Sequence, residues 1–359
     1  MKRCLLSLLS LLFLQSSCDS KVLSRDVKKS HGDAAAEMIT HDSLPQPGKN
    51  IMTIFQDSRN NYWFGSWETG LYKYDGKTIL HYTTKNGLPH DRVEDIREDK
   101  AGNLFVNTPG GLCRFDGKTF TILKPKEGGT WALHPDDLWF KLFQFDGHVY
   151  RYDGKDLHML KLPGNALGDD WVAKHPNNPI PYAVYTIYKD RQGYVWFGTA
   201  ALGACRYNGK SFDWISEEDV TELHYGPSNG VRSIIEDKEG YFWFNSAYRY
   251  KVYDKAAPPM QTFYTREKSI GNLDGRPDSD FWEYLSIARD NDDALWIATY
   301  WNGVWKYDGS KTIHYPIQVN GEDIHTFCIY KDNHGDLWLG THENGAYKFN
   351  GKSFERFVP

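Results

Sequence analysis

The chain has 359 residues, of which 15% are aromatic and 25% charged, with 32 glycines and 16 prolines spread along it; that punctuation excludes long helices and reads as one large all-β domain. A formal net charge of −5 argues against a nucleic-acid surface, which a phosphate backbone requires to be basic. It argues equally against adhesion to anionic lipid through protein charge.

Met1–Ser17 is a separate object. Lys2 and Arg3 open it, Leu5–Leu14 is a nearly unbroken apolar run, and Gln15-Ser16-Ser17 leads into Cys18, so the segment reads as an export signal. The run is too short to span a bilayer as a mature helix. The small residues before Cys18 resemble a bacterial lipoprotein box, which implies that Cys18 is the acylated first residue of the mature chain; cleavage beside a coincidental cysteine is the alternative. Residues 18–48 are polar, lack strand periodicity and read as a disordered tether, with Met38–Leu44 a candidate edge strand. The expected location is the cell envelope, with membrane contact only through the lipid anchor. Cys113, Cys205 and Cys328, an odd number, read as small buried residues.

From Ile51 onward one pattern recurs with a period near ~40–50 residues. Its clearest copy is Tyr330–Phe354, YKDNHGDLWLGTHENGAYKFNGKSF. Ile324–Tyr330 is rich in β-branched and aromatic residues, Asp332–Gly335 reads as a turn, Leu337–Thr341 as a second strand and Gly345–Phe349 as a third. Asn350-Gly351 supplies the positive φ angles of a two-residue hairpin, so Ser353–Phe357 folds back as a fourth strand. A meander this small cannot bury both faces alone, and tandem copies must stack. The copies lie at about 51–90, 92–127, 130–162, 181–216, 229–267, 280–317 and 323–359, and predict that residues 49–359 form a seven-bladed β-propeller of four-stranded antiparallel blades. Unit 3 is worn, with Trp131–His134 as its expected first strand, and unit 5 lacks the glycine after Asp254. Unit 7 owns its fourth strand, so ring closure is expected from packing of blade 7 on blade 1 or from the Met38–Leu44 strand.

The string Asp-x-x-Gly-x-Leu/Val-Trp-Phe-Gly-Thr, followed by Gly-Leu/Val-x-x-Tyr/Phe-Asp-Gly, resembles the two-component regulator propeller repeat of periplasmic sensor domains in bacterial hybrid histidine kinases. The resemblance covers about Lys49–Pro359 and implies a sensor-like role. The transmembrane and cytoplasmic signalling regions of the kinase-bearing relatives are not found in this sequence, so phosphotransfer is not implied.

Most recurring polar residues have structural explanations. The Asp-Gly and Asn-Gly pairs from Asp75 to Asn350 are hairpin turns, and Asp57, Asp99, Asp190, Asp237, Asp290 and Asp332 cap their own turns. Trp63, Trp196, Trp243, Trp296 and Trp338 recur at one place, as packing between blades demands. Asp290–Asp293 lacks the later glutamate of a calcium loop. Gly203–Ser211 and Gly345–Ser353 look like phosphate loops but carry one residue too many and lead into strands, without the helix N-terminus that phosphate needs. No Gly-x-Ser-x-Gly or His-Glu-x-x-His motif is present. No metal and no cofactor is expected, although His90, His325 and His342 can meet near the ring axis.

In a propeller the loops joining second to third strands share one face with the blade-joining segments, and here those are the variable ones. They supply the candidate ligand residues Trp67, Glu68, Tyr248, Arg249, Trp282, Glu283, Tyr300, Trp301, Asn302, His325, His342 and Glu343. Aromatic faces beside Glu, Arg, His and Asn offer stacking and directional hydrogen bonds suited to a glycan fragment or other periplasmic solute. The expected function is non-catalytic, sensor-like ligand binding. One alternative is a glycan hydrolase or lyase using Glu68, Glu283 and Glu343 with His325 or His342; the other is a scaffold for an envelope protein partner.

Overall fold

The computed structural model describes residues 37–39, 46–141, 147–176, 180–217, 220, 230–245, 248–254, 263–268 and 284–359, and shows a seven-bladed β-propeller. The export signal and Cys18 lie outside the described residues, as does all of the tether but its few residues at 37–39 and 46–48.

Blade 7 shows the plan. Thr326–Lys331, Leu337–Thr341, Ala346–Phe349 and Phe354–Arg356 pair antiparallel in that order, from the ring axis outward. The second strand is buried at every position in blades 2, 4, 6 and 7, because it lies mid-blade with a neighbouring blade on each side. The core is accordingly divided among seven hydrophobic clusters, each shared by two adjacent blades. Trp63 packs forward on Val93 and Ile96 of blade 2, while Phe64 packs backward on Trp338 of blade 7.

The capping aspartates do more than cap. In blades 1, 4, 5, 6 and 7 one carboxylate oxygen accepts the turn amides two and four residues on, and the other accepts the indole N–H of the tryptophan six residues on, at 2.8–2.9 Å (Asp57–Trp63, Asp190–Trp196, Asp237–Trp243, Asp290–Trp296, Asp332–Trp338). A buried indole N–H without an acceptor would cost about 1–3 kcal/mol, so this clasp fixes turn and core together.

Blade 3 departs from the plan. Among the described residues it holds three strands, Leu138–Lys141, His148–Tyr152 and Leu157–Lys161, corresponding to the second, third and fourth strands elsewhere. The expected first strand at Trp131–His134 is not a strand. Instead Lys126 bridges in parallel to His158 on the outer edge, and Trp131 stacks on Trp139 at 5.7 Å, meets Phe197 and Phe212 of blade 4 edge-on and lies tilted against Tyr207. Pro125, Gly128, Gly129 and Pro135 interrupt the segment and suit a loop better than a ladder. Trp139 therefore has no clasp, and among the described residues its buried indole nitrogen has no acceptor.

Blade 1 gains a strand: Glu37–Ile39 pairs with Ile79–Tyr82 on the outer edge. It does not close the ring. Closure comes from blade 7 packing on blade 1, with the Gly345 amide donating to the Lys49 carbonyl at 2.8 Å, Tyr62 Oη to Asp332 at 2.7 Å, and the Asn333 amide to Gln56 at 2.8 Å. Phe357 stacks on Phe64 at 5.7 Å across the same seam. A short helix, Ala166–Lys174, capped by Asn165, occupies the connection from blade 3 to blade 4.

Candidate functional site

The first strands and the blade-joining segments converge on a cavity of about 580 Å³ at the ring axis, to which every blade contributes. Its mouth opens on the face carrying the loops between second and third strands, represented by Trp67, Tyr300 and His342. A larger groove of about 710 Å³ lies on the opposite face between blades 6 and 7, but its lysines are already paired, Lys306 with Asp290 at 3.0 Å and Lys348 with Asp336 at 2.7 Å.

Blades 6, 7 and 1 form an aromatic side. The exposed Trp301 meets the His325 ring edge-on at 4.3 Å, His325 stacks on Tyr300 at 4.6 Å with the rings nearly parallel, and Tyr300 lies 6.0 Å from Phe327. Phe327 in turn contacts His342 at 5.1 Å and stacks toward Trp67 at 6.5 Å. This packing desolvates His325 and holds its imidazole below the ordinary value; His342 pushes the same way and Glu343 opposes.

Blades 2 to 5 form a charged side. Arg92 lies 3.4 Å over the Trp67 ring and pairs with Glu94 at 2.7 Å, while Arg97 pairs with Asp95 at 2.8 Å. Arg232 lies 3.7 Å over the Tyr185 ring. Lys141 Nζ reaches the Tyr185 carbonyl at 3.4 Å. Burial lowers the Lys141 ammonium, Glu94 and Asp95 pull it back up, and Arg232 and Arg92 depress it further.

The structure thus brings Trp67, Tyr300, Trp301, His325 and His342 together. Glu68 and Glu343 lie exposed on the rim, the latter 3.7 Å from His342 Nδ1. The Asn302 carbonyl accepts from Trp305 and His314, on the outer side of its turn. Tyr248 and Arg249 are not in a loop: they open the third strand of blade 5, Tyr248–Val252, where Arg249 pairs with Asp237 at 3.2 Å and Glu239 at 3.0 Å near the opposite face. Trp282 and Glu283 lie outside the described residues. His90 accepts the Arg92 amide in the turn before blade 2. Cys113 and Cys205 are buried, whereas Cys328 borders the cavity, its thiol pushed up to about 12 by desolvation. Among the described residues no cluster of His, Cys, Asp or Glu is placed to hold a metal, and no helix is long and apolar enough to cross a membrane.

Sequence reasoning missed the charged side because it looked for variable loops, and these residues lie on strands or at strand ends. Lys141 had a readable signal: Trp139-Phe140-Lys141 puts lysine where Trp63-Phe64-Gly65 and Trp196-Phe197-Gly198 have glycine.

Residues 45–68, 178–201 and 318–343 match the model of the two-component regulator propeller family. Histidine kinase P4 of Formosa agariphila is 24% identical over 323 residues, spanning 84% of this chain and 22% of the kinase. Among solved structures, the extracellular domain of a Bacteroides thetaiotaomicron protein described as a one-component system has a TM-score of 0.57 at 22% identity, covering 87% of this chain and 40% of that one. Virginiamycin B lyase from Staphylococcus aureus has a TM-score of 0.57 at 12% identity, covering 85% and 95%. At these identities both structures are alike in fold alone, and the chain spans well under half the length of the kinase and of the Bacteroides domain. Blades 1, 4 and 7 thus carry segments that match the two-component regulator propeller repeat.

Proposed function

We propose that this propeller is the non-catalytic, sensor-like binding domain of an exported protein, and that it takes a glycan fragment or comparable solute into the axial cavity from the face bearing Trp67, Tyr300 and His342. The observation that carries this reading is the continuous aromatic path from exposed Trp301 through His325, Tyr300 and Phe327 to Trp67, which ends in a cavity of ligand size. Aromatic faces stack on sugar rings, and the polar groups beyond them orient what enters. Catalysis is disfavoured because the carboxylates on the described cavity wall, Glu94 and Asp95, are already engaged by arginines at 2.7 and 2.8 Å. Acylation at Cys18 would hold the domain at a membrane surface; metabolic labelling with a fatty acid, lost in Cys18→Ser, tests that part.

Isothermal titration calorimetry against a panel of neutral and acidic oligosaccharides tests the binding. At least one is expected to bind without being consumed, with affinity lowered at least about tenfold in Tyr300→Ala. Absence of heat from every saccharide, or turnover of any of them, overturns the reading.

A further inference from the structure

We infer that the solute bound in the axial cavity carries an anionic group, a uronate carboxylate or a sulfate ester on a saccharide, and that Lys141 receives it. This inference rests on the binding reading above and adds the charge of its ligand.

A lysine can stand at position 141 because blade 3 is built differently there. In blades 1, 4 and 7 the matching residue is Gly65, Gly198 or Gly340, and a Cβ there would lie 2.6 Å from a side-chain atom of the blade's own first strand, Thr53, Thr186 or Cys328. Glycine suits those three blades because that strand, together with Val93, Val231 or Ile51 of the next blade, fills the space, whereas blades 2, 5 and 6 carry Asn107, Asn245 and Ala298 at the matching position. Blade 3 has no first strand among the described residues, so the position tolerates a side chain, and Lys141 reaches the cavity wall from the second strand. Its backbone is held by Asn107, whose side-chain amide donates to the Lys141 carbonyl at 2.8 Å.

The second step is charge. The acids on the described wall already accept from arginines close in sequence, Glu94 from Arg92 and Asp95 from Arg97. Lys141 has the neutral Tyr185 carbonyl at 3.4 Å as its hydrogen-bond partner, and among the described residues no carboxylate lies within ion-pair distance of it. The face of the same Tyr185 ring carries Arg232, so two cations share one residue on a desolvated wall. Burial penalises each of them, and Arg232 repels the Lys141 ammonium, while Glu94 and Asp95 offset part of that cost. An entering anion relieves both terms and forms a charge-assisted hydrogen bond, while the aromatic side opposite receives the sugar ring.

The test is calorimetry with trigalacturonate, a monosulfated galactobiose and neutral galactotriose, on the wild-type protein and on Lys141→Met and Lys141→Arg. The wild type is expected to prefer an acidic ligand by about 10- to 100-fold, the value of a hydrogen bond to a charged group. That preference should weaken as salt rises, disappear in Lys141→Met and survive in Lys141→Arg; the uronate and sulfate arms tell which anion the cavity fits. Should Lys141→Met fail to fold, Lys141→Gln replaces it, and the wild-type preference and its salt dependence still decide. Equal affinity for neutral and acidic ligands, or a preference untouched by removing the Lys141 charge, overturns the inference and leaves the binding reading standing. No binding of any saccharide overturns the binding reading as well.

Discussion

In blade 7 the first strand, Thr326–Lys331, stands between Trp338 and the ring axis and carries Asp332 to the indole; in blade 3 the chain reaches Trp139 by an outer route, the indole has no acceptor among the described residues, and the second strand itself borders the cavity. Both blades keep the tryptophan, the following aromatic or aliphatic residue and the outer hairpin. The difference shows that a blade's two tasks are separable. Strands two to four and the inter-blade clusters hold the ring together, while the first strand sets what faces the axis. Removing it forfeits one clasp and leaves a charged side chain where blades 1, 4 and 7 hold glycine.

Substitutions can break or sharpen this contrast. The largest effect is expected from Trp338→Ala, which removes a side chain only 1% exposed together with its contacts to Tyr62, Phe64 and Phe357; a loss of about 3–5 kcal/mol should appear in denaturant titrations. Next come the paired changes Trp338→Phe and Trp139→Phe. The first strips a donor from Asp332 and should cost about 1–3 kcal/mol, while the second gives up an N–H that already lacks an acceptor and should cost clearly less. Equal losses would mean that the clasp contributes nothing. Of similar or smaller size is Gly340→Ala, whose new methyl would meet the Ile51 carbonyl at 2.5 Å and the Cys328 sulfur at 2.6 Å, with about 1–3 kcal/mol of overpacking; Lys141→Ala at the matching position of blade 3 should show none. A Gly340→Ala protein as stable as the wild type would remove the steric reason for glycine there.

The smallest effect concerns the rim. His325 is held below its ordinary value, so the folded protein declines a proton that the unfolded chain accepts. Its contribution to stability is present above the unfolded value of about 6.5 and is lost as pH falls below it. The melting temperature should therefore drop between pH 7.5 and pH 5.5 by more in the wild type than in His325→Phe. An identical drop in both would assign the acid sensitivity elsewhere.

Much of this was legible in the sequence, because each blade repeats a local pattern and local patterns set strands and turns. Asn350-Gly351 and its relatives announced the hairpins, and the recurring Asp and Trp announced cap and core. Their mutual hydrogen bond was not legible, since a contact between residues six apart depends on the register of the hairpin that joins them. Topology placed Trp67, Tyr300 and His342 on one rim before any coordinates. It misplaced Arg249, because unit 5 lacks the glycines that mark where its third strand begins and the strand starts at Tyr248. The worn unit 3 was read as a degraded copy of the rule, whereas its Gly128-Gly129 and Pro135 send the chain around the outside. The charged side of the cavity escaped for a related reason: a lysine in place of glycine at position 141 marks an irregular blade, but that it faces the axis follows only from the three-stranded arrangement seen among the described residues of blade 3.

The seam between blades 7 and 1 has a mechanical consequence. Phe354–Arg356 belongs wholly to blade 7, so the two ends of the ring meet through the Gly345–Lys49 backbone bond, the Tyr62–Asp332 and Asn333–Gln56 contacts and the stacking of Phe357, without a shared ladder. A tensile load applied between Gln46 and Pro359 falls on that one joint, and the joint should part while all seven blades stay folded, as a clasped bracelet opens at its catch. The opened chain would be a curved stack in which each blade still holds its neighbour, and releasing the load would let the catch find its partner again without refolding any strand.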